Sequence, residues 1–356
     1  MKKIFVAGHN GMVGGAILRS LQSNEMIKVI TRSRAELDLL DGRAVLEFLS
    51  KERPSEIYIA AAKVGGIEAN NKFRGDFIYE NLQIQNNIIG EAFKLGINNI
   101  LFLGSSCIYP KNSDIPIKEN CLLTSSLEQT NEPYAIAKIA GIKLCESLNR
   151  QYNTQYISLM PTNLYGPGDN YDLSNSHVVP ALVRKFFLAR QLFEGNLNII
   201  KNDLNSQGEI EQYNLSSDTE VLEFLAHHGI TPKQISIWGS GRARREFLWV
   251  DDLASACIYC MRDEVKAKIL DNAKRTGIHF LNVGYGEDIS ISELVNIISK
   301  LHGYEGNITY DRSKPDGTYQ KLLSSDMLKQ YGWTPKVSLG EGLKRICGDY
   351  QSRWLK

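Results

Sequence analysis

The sequence predicts an α/β protein, a Rossmann-type doubly wound parallel sheet with a smaller C-terminal substrate-binding domain. Three observations predict it. β-Branched and aromatic runs alternate five times with helical stretches between residues 3 and 160, and such alternation builds βαβ units with parallel strands. A glycine turn, GHNGMVG at 8–14, directly follows the first apolar run. Polar motifs recur where the strands end, which is where open parallel sheets bind their ligands.

Each element follows in order. Lys3–Ala7 reads as the first strand, Met12–Gln22 as a helix, Lys28–Thr31 as the second strand and Arg43–Lys51 as a helix. Glu56–Ala61 is the third strand, Phe77–Leu95 a long helix and Ile100–Leu103 the fourth strand, ending in GSSCIYP. Pro133–Tyr152 is a second long helix, with its proline suited to a first turn, and Tyr156–Met160 is the fifth strand. After Pro161 the alternation becomes irregular. Asn196–Ser217 is rich in Asn, Ser and Gln and reads as an exposed excursion, with a helix from Thr219 to His227.

Composition narrows the function classes. The chain has 356 residues, 43% hydrophobic and 23% charged, enough to bury a sizeable core. Its net charge of +1 gives no field for nucleic acid or a membrane surface. No apolar run reaches membrane-spanning length. The four-residue apolar run after Lys2 and Lys3 meets a glycine turn at once, so it reads as a strand rather than a signal peptide. Six cysteines lie scattered, as expected of a reduced cytoplasmic protein. Cys257 and Cys260 form a CxxC on a helical segment without a second pair, so no metal site is expected.

Gly8 permits a tight turn, Gly11 lets backbone approach a pyrophosphate, and Gly14 lets helix and sheet pack closely. A helix N-terminus there favours phosphate charge. An acidic residue after the second strand would select NAD through the ribose 2′-hydroxyl. The sequence instead reads TRSRAELD, and Arg32 and Arg34 suit a 2′-phosphate, favouring NADP. Two solvated arginines are the alternative. Asp38 is a candidate partner of the adenine, with Leu39 packing on it.

Tyr134 and Lys138 stand at i and i+4 and share a helix face. An ammonium beside a phenol favours the phenolate, so the tyrosine pKa is expected to fall. The pair supplies a proton donor for a carbonyl oxygen receiving hydride. Ser105, at the end of the fourth strand, completes a triad, and Lys138 also suits the nicotinamide ribose. Cys107, two residues on, is expected on the same side of an extended segment. It is either an acid or base at the carbon next to a ketone or a small packing residue. His177 is a second titratable group in a polar loop, or simply a loop histidine. In WGSGRARREFLWVDD, Trp238 can stack on a base or sugar, and Arg242, Arg244 and Arg245 match phosphate geometry or form a solvated cluster.

The stretches GHNGMVGGAI, AAAKVGGI, FLGSSCIYP, EQTNEPYAIAKIAGIKLCES, MPTNLYGP, NSHVVPAL, WGSG, REFL and SKPDGT together resemble the GDP-L-fucose synthase family of extended short-chain dehydrogenase/reductases. The resemblance spans nearly the whole chain. It implies an NADP(H)-dependent enzyme acting on a GDP-4-keto-6-deoxy sugar: epimerisation at C3 and C5, then reduction at C4 to give GDP-L-fucose. Ser105, Tyr134 and Lys138 match the reductive triad, and Cys107 and His177 the epimerising base and acid. The cofactor site maps to Gly8, Asn10, Gly11, Met12, Val13, Gly14, Arg34, Asp38, Leu39, Ala61, Leu103, Gly104, Ser105, Ser106, Tyr134, Lys138, Pro161, Thr162, Asn163, Leu164 and His177. Substrate contacts map to Lys185, Trp238, Arg245 and Asp316, with Lys321 close by.

On this resemblance residues 1–165 form the NADP-binding domain, with 246–262 and 279–284 returning to it. Residues 166–356 are mainly substrate-binding and contain a polar insertion near 195–232. Two departures stand out: Asn10 replaces an arginine common in the family's glycine turn, and the insertion lies between Lys185 and Trp238. The competing expectation is a C4 reductase without epimerisation, on another GDP-4-keto-6-deoxy sugar such as a heptose. A non-catalytic NADP-binding protein is the remote one. The two long helices imply a homodimer by analogy alone.

Overall fold

The computed structural model describes the backbone of residues 1–314 and 316–354 and, except at 67 and 68, their side chains. Pro315 of the SKPDGT motif lies outside the described residues. Six parallel strands form the central sheet, in the order Ile27–Ile30, Lys2–Ala7, Glu56–Ile59, Asn99–Leu103, Gln155–Pro161, Phe280–Val283. The order reverses direction at Lys2–Ala7, so the switch point lies between this strand and Glu56–Ile59. That is the crevice where such sheets bind ligands.

Strand alternation explains why both faces are apolar. Ile4, Val6, Leu101, Leu103, Ile157 and Leu159 join one buried cluster, with Ile17 and Leu21 of helix Met12–Gln22 and Leu253 and Cys257 of helix Val250–Cys260. Phe5, Ala7, Ile57, Ile59, Ile100 and Phe102 join a second, with Ile88 and Ile89 of helix Arg74–Lys94 and Ile142 and Cys145 of helix Glu132–Tyr152. Residues i and i+2 share a face, so helices on both sides complete the layers. Cys257 and Cys260 are wholly buried, and burial pushes the Cys260 thiol up to about 12. Their place is in the core.

Local signals set the helix ends. Asp41 caps helix Gly42–Glu52, accepting from Arg43 N–H at 2.9 Å and Ala44 N–H at 3.1 Å. Pro133 sits in the first turn of Glu132–Tyr152, which stops at Asn153 with φ 56°. Asparagine tolerates that left-handed conformation better than most residues.

The chain forms two compact units. The first is Met1–Asp169, Glu246–Glu287 and Lys321–Val337; the second is Asn170–Arg245, Asp288–Gln320 and Ser338–Lys356. In the second, strands Gln234–Trp238 and Asn307–Asp311 pair in parallel. Helix Ile291–His302 begins with a capping box of Ser290 and Glu293.

The segment expected as an exposed excursion is instead helical, and part of it is buried. Leu197–Ser206 and Glu209–Gln212 are helices, and Ile200, Asp203, Leu204 and Glu209 are buried. The cause is Arg184 of helix Val178–Phe193, itself fully buried. Its Nε donates to Asp203 at 2.8 Å, and its two terminal nitrogens clamp Glu209 at 2.8 and 2.6 Å. The Tyr350 hydroxyl donates to the other Asp203 oxygen at 2.5 Å. Asp203 and Glu209 are thus consumed internally, while most Asn, Ser and Gln side chains of the stretch stay exposed.

Candidate active site

The glycine turn is built by contacts that allow no side chain. Gly8 has φ +89°, and a Cβ there would stand 2.6 Å from Ala61 N; a Cβ on Gly14 would stand 2.1 Å from Gly8 O. Gly11 differs: its nearest such neighbour is Gly8 O at 3.5 Å, leaving room for another group to approach. Gly11 precedes helix Met12–Gln22, and no side chain caps that helix. An N-terminus of this kind presents backbone N–H groups to an anion. Gly8 meets Ala61 at the switch point, so the turn, the helix and the third strand frame one cradle.

The two arginines after the second strand separate. Arg32 is committed to Glu52 at 3.0 Å and lies 5.2 Å over the Phe48 ring. Arg34 is exposed. Asp38 accepts from Leu40 N–H at 3.0 Å, and Leu39 is half-buried. The cradle and Arg34 fit a dinucleotide bearing a 2′-phosphate.

Leu103 ends the fourth strand, and Gly104 and Ser105 follow. The segment then tightens into a 3₁₀ turn, Ser106–Ile108, rather than continuing extended as expected. Ser105 caps that turn, its Oγ accepting from Cys107 N–H at 3.2 Å. The capping hydroxyl therefore keeps Ser105 and Cys107 adjacent, where strand alternation was expected to.

Tyr134 stands in the first turn of helix Glu132–Tyr152, half-buried, its hydroxyl hydrogen-bonded to Ser105. Lys138, one turn on, is buried and donates to Leu103 O at 2.8 Å. Its ammonium lies 5.7 Å from the Tyr134 ring centroid. The electrostatics reverse the expectation for this pair. Burial and then the charge of Cys107 push the Tyr134 phenol up, more than the Ser105 bond lowers it. Burial also draws Lys138 down to about 7. Desolvation penalises both charged forms, and here it outweighs their mutual attraction. Tyr134 is thus a phenol that keeps its proton, which is what a donor requires.

Pro161–Leu164 runs on from the fifth strand. Thr162 N–H donates to Val283 O at 3.0 Å, and the Asn163 side chain donates to Glu246 O at 2.9 Å. Lys321 also belongs to the first unit, where its Nζ lies 3.7 Å from Cys107 Sγ.

The second unit holds the other expected residues. His177 is the N-cap residue of helix Val178–Phe193; the residue is exposed as a whole, yet burial around its imidazole draws its basicity below the usual value. Lys185, on that helix, donates to Ser236 O at 2.6 Å, and burial draws it down to about 8. Trp238, 56% exposed, ends the same strand as Ser236, with Lys314 Nζ 5.0 Å from its ring centroid. Asp316 accepts from Ser240 N–H at 2.6 Å, and Arg245 donates to Asp316 O at 3.5 Å. Lys185, Trp238, Asp316 and Arg245 thus gather about one strand end: two cations, an exposed indole and a carboxylate, the chemistry a nucleoside diphosphate calls for.

Sequence reading missed Glu246 and Asn282. Glu246 is wholly buried and accepts from Gly286 N–H at 2.7 Å and Leu323 N–H at 3.1 Å. Asn282 is equally buried and receives the Tyr109 hydroxyl at 2.5 Å. The available signal was Glu246 itself, an acid among the apolar residues of REFLWV.

Fold, cradle and triad together define a dinucleotide-dependent enzyme of the short-chain dehydrogenase/reductase type. A family model, NAD dependent epimerase/dehydratase family, matches residues 4–271. The chain is 47% identical to the GDP-L-fucose synthase of Escherichia coli (strain K12) over 343 residues, 96% of this chain and 94% of that one. Among solved structures it is similar to a GDP-6-OMe-4-keto-L-xylo-heptose reductase from C. jejuni, with 37% identity, TM-score 0.90 and 99% and 98% of the two chains covered. It is also similar to a GDP-D-glycero-L-gluco-heptose synthase from Campylobacter jejuni, solved in the presence of NADPH, with 36% identity, TM-score 0.89 and 98% of each chain covered. The chain belongs to the NAD dependent epimerase/dehydratase family and, within it, to the GDP-L-fucose synthases.

Proposed function

We propose that the chain reduces C4 of a GDP-4-keto-6-deoxy sugar with NADPH, after inverting C3 and C5, and so forms GDP-L-fucose. The observation that carries this is the Ser105–Tyr134–Lys138 cluster with Cys107 at its edge, in a chain 47% identical to a GDP-L-fucose synthase over 96% of its length. NADP(H), held by the Gly8–Gly14 cradle and Arg34, supplies the hydride. Ser105 hydrogen-bonds the C4 oxygen. Tyr134 gives its proton to that oxygen as the ketone becomes an alcohol, and Lys138 orients the ribose.

Protons at C3 and C5 are acidic because both carbons flank the ketone. Cys107 and His177 serve as the base and acid of each inversion, and the Ser105 and Tyr134 hydroxyls hold the enolate oxygen. Lys185, Trp238, Arg245 and Asp316 receive the GDP moiety. No helix among the described residues is long and apolar enough to cross a membrane. A cytoplasmic site of action is part of the proposal, supported by six cysteines that are all free.

Product NMR in deuterated water tests the reaction, with NADPH and GDP-4-keto-6-deoxymannose as substrates. GDP-L-fucose carrying deuterium at C3 and C5 is the expected result. Reduction at C4 without deuterium at either carbon gives the second reading, a C4 reductase. The similarity to a heptose reductase and a heptose synthase supports that second reading, while the higher identity to GDP-L-fucose synthases supports the first.

We also propose a homodimer through the outer faces of helices Arg74–Lys94 and Glu132–Tyr152. Exposed aromatic and apolar side chains support it, Tyr79 at 64%, Tyr152 at 52% and Ile136 at 41%. Sedimentation should show twice the 40.0 kDa chain mass, and a species of 40.0 kDa alone removes the dimer.

A further inference from the structure

Lys321 sits where it does because its strand is held by buried groups. Leu323 N–H donates to Glu246 Oε2 at 3.1 Å, and Asn282 Nδ2 donates to Ser324 O at 3.1 Å. Ile117 N–H donates to Leu322 O at 2.8 Å, and Ser324 N–H returns to Ile117 O at 2.8 Å. On the other side Cys107 is fixed by the turn that Ser105 caps. A half-buried ammonium on a pinned strand thus meets a half-buried thiol on a pinned turn, at 3.7 Å.

We propose that Lys321 is a positioning residue that holds Cys107 as the thiolate, the form able to take a proton from a carbon beside a ketone. The inference rests on the role given to Cys107 under Proposed function. The thiolate, not the thiol, is the reactive form, and a neighbouring lysine favours it. In the step, the sulfur takes the proton of the C–H bond and the electron pair moves to the carbonyl oxygen as an enolate. Return of a proton to the opposite face restores the ketone with the carbon inverted. No oxidant or reductant takes part.

The groups facing Cys107 divide the work. Ser105 comes from its own turn, Tyr134 from helix Glu132–Tyr152, and Lys321 from strand Gln320–Lys321. Lys138 turns its ammonium to Leu103 O. Negative charge on Cys107 raises the Tyr134 phenol, so a thiolate keeps the reductive proton in place during the inversions. Lys321 stabilises that charge without borrowing from the reductive pair.

Alkylation of Cys107 by iodoacetamide, followed by peptide mass between about pH 5 and pH 10, reads the thiolate directly without substrate. Peptide mapping separates it from half-buried Cys121, and Cys107→Ser supplies the blank. Lys321→Met is expected to move the alkylation midpoint up by about one pH unit, roughly tenfold slower labelling at neutral pH. Lys321→Arg should restore the midpoint. Deuterium incorporation beside the ketone should fall with it, at unchanged KM. A Lys321→Met enzyme with a raised KM and an unmoved alkylation curve overturns the proposal, since the lysine then serves the diphosphate. A shifted curve with undiminished deuterium incorporation overturns the proton transfer by Cys107 and leaves the pairing standing.

Discussion

Tyr134→Phe is expected to lower kcat for C4 reduction by about 10²- to 10⁴-fold, the usual contribution of a positioned proton donor. The substitution removes one oxygen and keeps the ring, which packs edge-on to Phe77 at a centroid distance of 6.5 Å. Fold and cradle stay intact, because the Gly8–Gly14 turn is set by its own backbone contacts with Ala61 and Gly8. NADPH titration should therefore give a Kd near wild type. Burial and the Cys107 charge hold the phenol proton well above its ordinary value, so wild-type Tyr134 remains a donor throughout the neutral range. Single-turnover hydride transfer, read as NADPH absorbance, separates this from slow product release. Undiminished turnover in the variant would remove Tyr134 from the mechanism, and lost NADPH binding would make its role structural.

How far the site could be read from the sequence depends on how local each constraint is. The Gly8–Gly14 turn is legible because a positive φ at Gly8 and a 2.1 Å approach at Gly14 leave glycine alone. The sheet is legible because Ile4 and Val6 face one layer and Phe5 and Ala7 the other. The Tyr134–Lys138 spacing is equally local, and it correctly places the two on one face. Their titration is not local. It depends on how deeply helix Glu132–Tyr152 packs, which no four-residue spacing records, so the expected direction for Tyr134 was reversed. Lys321 and Cys107 lie 214 residues apart, and their contact depends on the buried Glu246 carboxylate, which accepts from Leu323 N–H, and the buried Asn282 amide, which donates to Ser324 O. The Asn196–Ser217 stretch failed for a related reason. Asp203 and Glu209 look solvated until Arg184 is known to lie between them.

That triad carries the second large effect. Arg184→Met should cost about 3–5 kcal/mol, because it strands the carboxylates of Asp203 and Glu209 where water does not reach. Burial alone disfavours the Arg184 charge, and the Glu209 hydrogen bonds and Asp203 charge outweigh it, so the guanidinium is held firmly protonated. Domains of this size keep only about 5–15 kcal/mol in total. The single substitution therefore threatens the second unit, and equilibrium urea unfolding should show a lower midpoint. Changing the partners together (Arg184→Met, Asp203→Leu, Glu209→Met and Tyr350→Phe) should recover most of the loss, since buried ion pairs gain little over apolar packing of similar volume. Limited proteolysis locates the effect, with cleavage between 196 and 217 accelerated in the single variant and slowed again in the combined one. A single variant as stable as wild type would show that the insertion is held by Ile200 and Leu204 alone. Because Arg184 and Lys185 are neighbours on one helix, loosening the triad should also raise KM for the GDP-sugar. That would make the insertion a strut behind the proposed diphosphate contact at Lys185, and no longer an ornament on the surface.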